Sequence, residues 1–460
     1  MPQSILKRKR PAGEQSKVDK SKRVAVSPGT TKKVVHREAP SQALATSQAT
    51  EDVKGDTVSY GRSSMSPLSI QIVTGSYERV LHGLIATLPA TSNPDEDATT
   101  PQATFSDTFL FSAHSSSVRS LAVSQPQAYK RLLATGSADE RINLYQISTL
   151  APSKSKSSGP SLPSLGNTAV VENPRNRELG SLLHHSRTIT TLLFPTKSKL
   201  FSAAEDNTIG ITRTRDWTTL STIKAPVPKP VGRPSGDTAA PGEVPSGVND
   251  FAVHPSMKLM LSVSKGEKCM RLWNLVTGKK AGVLNFGKEV LLQVGEGRFS
   301  TGEGRKVLWK QDGDGFVVVF ERGVIVYGME SKPVRALRLK MGKICQARFV
   351  PGLDAVLAVG TEDGRVLFYD VGDDDTVAEG KTLPSCPYFA EIPTLEAQSS
   401  GRIKDFEILE IRTGSLIFVT ASSDGAVRLW NVDLASIEPP VSSKNKKAAA
   451  DEDDKVRPRS

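Results

Sequence analysis

One arrangement recurs along this chain and limits its fold more than any other feature. An apolar strand runs into a short polar turn and returns as a second strand ending near an aromatic residue. The fullest copy is LLATGSADERINLY at 132–145, and it recurs as LFSAAEDNTIGIT at 200–212, LMLSVSKGEKCMRLWN at 259–274, VLAVGTEDGRVLFYD at 356–370 and IFVTASSDGAVRLWN at 417–431. Period-two alternation on both sides of a turn rich in Asp, Gly and Ser predicts a β-hairpin. Two weaker copies, IQIVTGSYERVLHGL at 70–84 and WKQDGDGFVVVFERGVIVYGM at 309–329, bring the count to seven, with six as the alternative. A further apolar strand precedes most copies: SVRSLAV at 117–123, TITTLLF at 188–194, GVNDFAVHP at 247–255, KICQARFVP at 343–351 and RIKDFEIL at 402–409.

The repeating body spans 68–434 and carries Pro-, Ser-, Gly- or Asp-rich stretches at 89–104, 151–177, 225–247 and 372–393, which read as inserted surface loops. Without them each unit is about 40 residues long, the size of a four-stranded propeller blade. The expected class is therefore all-β, a single β-propeller of seven blades. The copy at 70–84 precedes any complete unit and is expected to supply strands that close the ring with the C-terminal unit, since an open ring leaves unpaired edges.

These residues resemble the WD40 family, whose strand-end signature stands here as RLWN at 271–274 and 428–431. The resemblance implies a buried network in each blade that joins a turn Asp, a strand Ser or Thr, a loop His and the Trp. Its fullest set is His114, Thr135 and Asp139, with Tyr145 at the Trp position. The next unit offers His185, Ser202 and Asp206, with Thr212 replacing the aromatic. Trp273, Asp363, Thr420, Asp424 and Trp430 fill single places of the pattern in later units, and the copy at 309–329 has almost none of it.

Within WD40 proteins, the order of units is similar to the p21-activated kinase-interacting group, which includes the yeast maintenance-of-killer factor. RTRDWTTLSTI and RLWNLVTGKKAGVLNF carry that likeness most distinctly. It implies a nucleolar scaffold for assembly of the large (60S) ribosomal subunit and pre-rRNA processing. The implied partners are pre-60S assembly factors and ribosomal proteins, with pre-rRNA contact. The group is also associated with restraint of p21-activated kinases.

Charge agrees with a nuclear address. The formal net charge is +11, yet residues 1–67 alone carry 13 basic and 6 acidic residues. That Ser/Thr/Lys/Arg/Pro-rich tail has too few large apolar residues to offset the entropy of ordering, so it is expected to be disordered, as is 435–460. Lys7, Arg8, Lys9 and Arg10, followed by Lys20, Lys22 and Arg23, have the spacing of a bipartite import signal. The same charges suit salt-sensitive contact with RNA phosphates.

Signals for catalysis are weak. Gly282-Val-Leu-Asn-Phe-Gly-Lys288 matches part of a phosphate-binding loop, but Glu289 stands where a Ser or Thr would hold magnesium, and no helix is expected after it. The adjacent His184-His185 pair is not a usual chelating spacing, and Asp373-Asp374-Asp375 reads as a solvated charge run. Three cysteines in 460 residues exclude a disulfide framework, and no apolar run reaches the 18 or so residues of a membrane span. The expectation is a non-enzyme with no cofactor, no metal, no membrane association and no small-molecule substrate.

Overall fold

Alternating apolar residues separated by turn signals become strands throughout. The structure, a computed structural model, describes residues 68–88, 103–150, 173–228, 244–297, 300–372, 382–393, 401–412 and 414–439. The import-signal residues Lys7 to Arg23, the Asp373–Asp375 run and most of both tails lie outside the described residues.

Seven antiparallel sheets form a seven-bladed β-propeller. Blade one is β1 (Leu68–Gly75), β2 (Val80–Leu88) and β3 (Thr104–Ser112). Blade two is β4 (Val118–Val123), β5 (Lys130–Ser137), β6 (Ile142–Ser148) and β7 (Arg177–Leu182). Blade three is β8 (Ile189–Thr196), β9 (Lys199–Ala204), β10 (Thr208–Arg213) and β11 (Thr219–Lys224). Blade four is β12 (Val248–Val253), β13 (Leu259–Ser264), β14 (Cys269–Asn274) and β15 (Lys279–Asn285), followed by a short helix, α1 (Lys288–Gln293). Blade five is β16 (Lys306–Trp309), β17 (Gly315–Val319), β18 (Gly323–Gly328) and β19 (Pro333–Arg338). Blade six is β20 (Ile344–Val350), β21 (Leu353–Thr361), β22 (Val366–Asp370) and β23 (Tyr388–Ile392). Blade seven is β24 (Ile403–Arg412), β25 (Ser415–Ser422) and β26 (Val427–Asp433), with a 3-10 turn at Leu434–Ile437.

The hydrophobic core is divided among the seams between blades. Ile142 and Leu144 of blade two pack on Ile189, Leu192 and Phe194 of blade three. Val350, Val356 and Phe368 of blade six pack on Phe406, Ile408 and Phe418 of blade seven. Blade five lacks the polar lock, and its β17 residues Gly315–Val319 are all buried. It is held by Phe286 against Phe320 at 5.1 Å and Phe316 stacked on Tyr327 at 5.0 Å.

Four expectations need correction. The residues at 70–84 do not share a sheet with the C-terminal unit; β1 and β2 form their own blade with β3. The ring closes through side chains, with Ile70, Ile72, Leu84 and Ala86 packed on Ile417 and Val419. Apolar alternation on β1 and β25 suffices for that contact without an exchanged strand. The stretch 372–393 is not wholly a loop, because β23 lies inside it, and the C-terminal tail does not begin at 435, because Ile437 is buried at the seam of blades six and seven. Finally, α1 does follow Gly287, but Gly282 to Asn285 are paired strand against β14, so no loop remains there to wrap a phosphate.

Candidate functional site

The first strand of each of blades two to seven lines the central channel, and its polar residues fall in register. The third position is Ser120, Thr191, Asp250, Lys306, Gln346 and Asp405 in turn, counting from Val118, Ile189, Val248, Gly304, Ile344 and Ile403. These side chains link blade to blade. The Leu192 N–H donates to Ser120 Oγ at 2.9 Å, and Thr191 Oγ1 donates to Asp250 Oδ1 at 3.1 Å. The Val307 N–H donates to Asp250 Oδ2 at 3.0 Å. Lys306 donates to Gln346, Gln346 to Asp405, and Arg348 pairs with Glu407 at 2.9 Å. Burial pushes the Asp250 carboxyl above its ordinary range, and Lys306 and the Val307 N–H pull it back only in part. Burial and Arg348 likewise push the Lys306 ammonium down.

The second position of those strands faces the channel mouth, where Arg119, Thr190, Asn249 and Arg305 meet Tyr77, Glu205, Lys265 and Glu303 around a cavity of about 410 Å³; the Glu303 carboxylate accepts the Gly266 N–H at 2.7 Å. Charge is not even around this mouth. Glu205 pairs with Lys265, Glu321 with Arg305 at 3.2 Å and Lys343 at 2.6 Å, and Glu362 with Arg402 at 3.4 Å. The corner at blade one differs. Tyr77 is 57% exposed there, with Lys404 Nζ 4.8 Å and the Arg119 guanidinium 5.9 Å from its ring centroid. Among the described residues neither cation has a carboxylate partner within ion-pair distance. An exposed aromatic between two unneutralised cations can stack on and pair with an acidic partner surface.

The WD40-like residues sit around this face as supports for its turns. His114 lies 3.1 Å from Asp139 Oδ2 and 2.7 Å from Thr135 Oγ1, and Asp139 also accepts the Ser115 and Arg141 N–H groups. Burial works against that carboxylate, but these donors hold it below its ordinary range. Tyr145 is buried with Leu81, Leu133 and Ile147 and meets the edge of Phe111 at 5.6 Å. In blade three, His185 lies 2.8 Å from Ser202 Oγ and 3.2 Å from Asp206 Oδ2. In blade four, Trp273 Nε1 donates to Ser262 Oγ at 2.8 Å. Asp363 bonds Thr361 and Arg365. Thr420 accepts from Trp430 at 3.2 Å, whereas Asp424 pairs separately with Ser422 and Arg428.

Sequence reasoning missed three groups. His184 Nε2 lies 3.0 Å from Ser202 Oγ, so it supplies the ring nitrogen that an indole supplies in blades four and seven. The cue was Thr212, too short to reach. Arg271 and Arg428, the first residues of the two RLWN motifs, clamp the turn acids Glu267 and Asp424. Asp250 was legible only by aligning the inner strands.

His184 makes the fold acid-sensitive above the carboxylate range. Burial and the neighbouring His185 lower its pKa to about 4. The unfolded chain takes up a proton near pH 6.5 that the folded chain refuses. Stability should therefore fall as pH drops from about 6.5 to about 4. Between about pH 6.5 and 5, above the range where carboxylates titrate, melting temperatures of His184→Gln should fall less steeply than those of the intact chain; an unchanged slope would remove this account.

Among the described residues no group of three His, Cys, Asp or Glu side chains is placed to hold a metal, and no helix is long and apolar enough to cross a membrane.

Comparison with known proteins places these observations. Residues 105–146, from β3 through most of β6, match the family model for the WD domain, G-beta repeat. The chain is 29% identical over 371 residues to a p21-activated protein kinase-interacting protein 1-like of Danio rerio, covering 81% of this chain and 76% of that protein. It is 29% identical over 386 residues to Protein MAK11 of Saccharomyces cerevisiae, covering 79% and 78% respectively. It is 26% identical over 371 residues to the p21-activated protein kinase-interacting protein 1 of Homo sapiens, covering 81% and 72%.

Proposed function

We propose that this chain, a WD40-repeat propeller related to MAK11 and the p21-activated kinase-interacting proteins, is a non-enzymatic scaffold for assembly of the large ribosomal subunit in the nucleolus. The observation that carries the reading is the Tyr77 corner, where among the described residues Arg119 and Lys404 have no carboxylate within ion-pair distance, while the mouth cations Lys265, Arg305 and Arg402 each pair with one. A rigid ring that presents such a corner suits docking of a partner, and the side-chain belt beneath holds its turns in place without moving parts. The partners proposed are pre-60S assembly factors and ribosomal proteins. The basic segment 1–67 would carry the import address and add contact with pre-rRNA.

Affinity purification of the tagged full chain tests this. Large-subunit precursors and their assembly factors should co-purify, and Arg119→Glu/Lys404→Glu should lower their yield at least tenfold while the melting temperature stays unchanged. Recovery of no such precursors would overturn the proposal.

The names of the animal relatives favour a second reading, an adaptor that restrains a p21-activated kinase. Direct binding of the full chain to the kinase regulatory domain, beside a nuclear fractionation, separates the two. Tight binding to that domain by a chain excluded from the nucleus supports the adaptor.

A further inference from the structure

We propose that the outer edge of β26 is a docking lane for an extended, lysine-bearing segment of another protein, which enters as the missing fourth strand of blade seven. In blades one to six the strand that leaves the hairpin turn is hydrogen-bonded on both sides: β2, β6, β10, β14, β18 and β22 each lie between two neighbours. Among the described residues β26 pairs with β25 alone. An open sheet edge presents a row of free N–H and C=O groups and is a template for strand addition.

Blade four shows what fits such a lane, because β14 and β26 share Arg-Leu-Trp-Asn at 271–274 and 428–431. On β14 the lane is filled by β15. Leu284 faces Met270 and Val283 faces Arg271; after a bulge, Lys280 faces Trp273 and Lys279 faces Asn274. That cover leaves the Arg271 side chain 5% exposed, whereas Arg428 is 18% exposed. Trp273 is fully buried and Trp430 only half-buried.

A segment docked on β26 in the same register sets apolar side chains against Val427 and Arg428. It brings two basic side chains to Trp430 and Asn431, beside the exposed Asp433 carboxylate, so the charges complement. Neither described end of the chain leads along the lane. After β26 the Leu434–Ile437 turn carries the chain inward to the seam with blade six, and Leu68 begins β1 on blade one.

The test is amide hydrogen exchange on the full chain with a synthetic peptide of residues 278–286, GKKAGVLNF, as the probe strand. In the free chain, amides of 427–433 should exchange at least tenfold faster than those of 269–274. Saturating peptide should slow them at least tenfold. Two further peptides carry backbone N-methyl groups on alternate residues. The one blocked on the edge facing β26 should lose binding, and the one blocked on the opposite edge should keep it.

Slow exchange of 427–433 in the free chain would mean that the chain's own residues cover the lane. Protection that rises with chain concentration would assign the lane to a second copy. Equal binding of the two methylated peptides, or no binding by the parent peptide, would exclude strand addition. Each of these results overturns the proposal.

Discussion

A chain lacking residues 68–88 will not form a stable ring. Those residues are β1 and β2, and they close two seams at once. Ile70, Ile72, Leu84 and Ala86 cover Ile417 and Val419 of blade seven, while Leu81 and Val73 cover Leu133, Tyr145 and Ile147 of blade two. Fully burying one large apolar side chain contributes about 1.5–3 kcal/mol. Removing this set from both sides forfeits on the order of 10 kcal/mol, comparable with the whole stability of an ordinary domain. The truncated chain should show no cooperative thermal transition and should bind a dye for exposed apolar surface. Melting like the intact protein would show that the seams are closed in some other way.

Asp250→Leu should be the most damaging single polar substitution, costing about 3–5 kcal/mol. The carboxylate ties three inner strands together, accepting from Thr191 of blade three and from the Val307 N–H of blade five. A leucine leaves both donors without their acceptor and removes one of the three carboxylates, with Asp405 and Glu407, that favour the Lys306 charge against burial and Arg348. Asp250→Asn keeps the shape and one acceptor oxygen and should lose less than half as much. Denaturant midpoints of the two variants at neutral pH check this. Equal losses would mean that the charge, rather than the acceptor geometry, links the blades.

Much of the ring was legible because its two signals are local. Period-two alternation placed the inner strands within a few residues, as in TITTLLF at 188–194 against Ile189–Thr196. Turn residues placed the hairpins, including the degenerate pair in blade five, where near-continuous apolar runs replace the polar lock. What stayed illegible depends on distant partners. Nothing near 70–84 reveals that β1 meets blade seven only through side chains, because that choice rests on how residues more than three hundred positions away are paired. The outer strand β23 was hidden because YFAEI is short and lies in polar surroundings. Tyr77 read as one more turn residue, and Arg119 and Lys404 as ordinary strand charges. Only the closed ring brings the three together. The supporting residues were partly legible: His114, Thr135 and Asp139 meet in one network, whereas Asp424 and Trp430 belong to separate pairs.

The central claim is that this propeller holds ribosomal precursors through the Tyr77 corner of its channel mouth. Gradient sedimentation of nuclear extract tests it most directly, with the intact chain and Arg119→Glu/Lys404→Glu compared at equal abundance. The account predicts that the intact chain travels with large-subunit precursors and that the variant, equally folded, stays near the top of the gradient. Co-sedimentation of both to the same extent, or of neither, would contradict it.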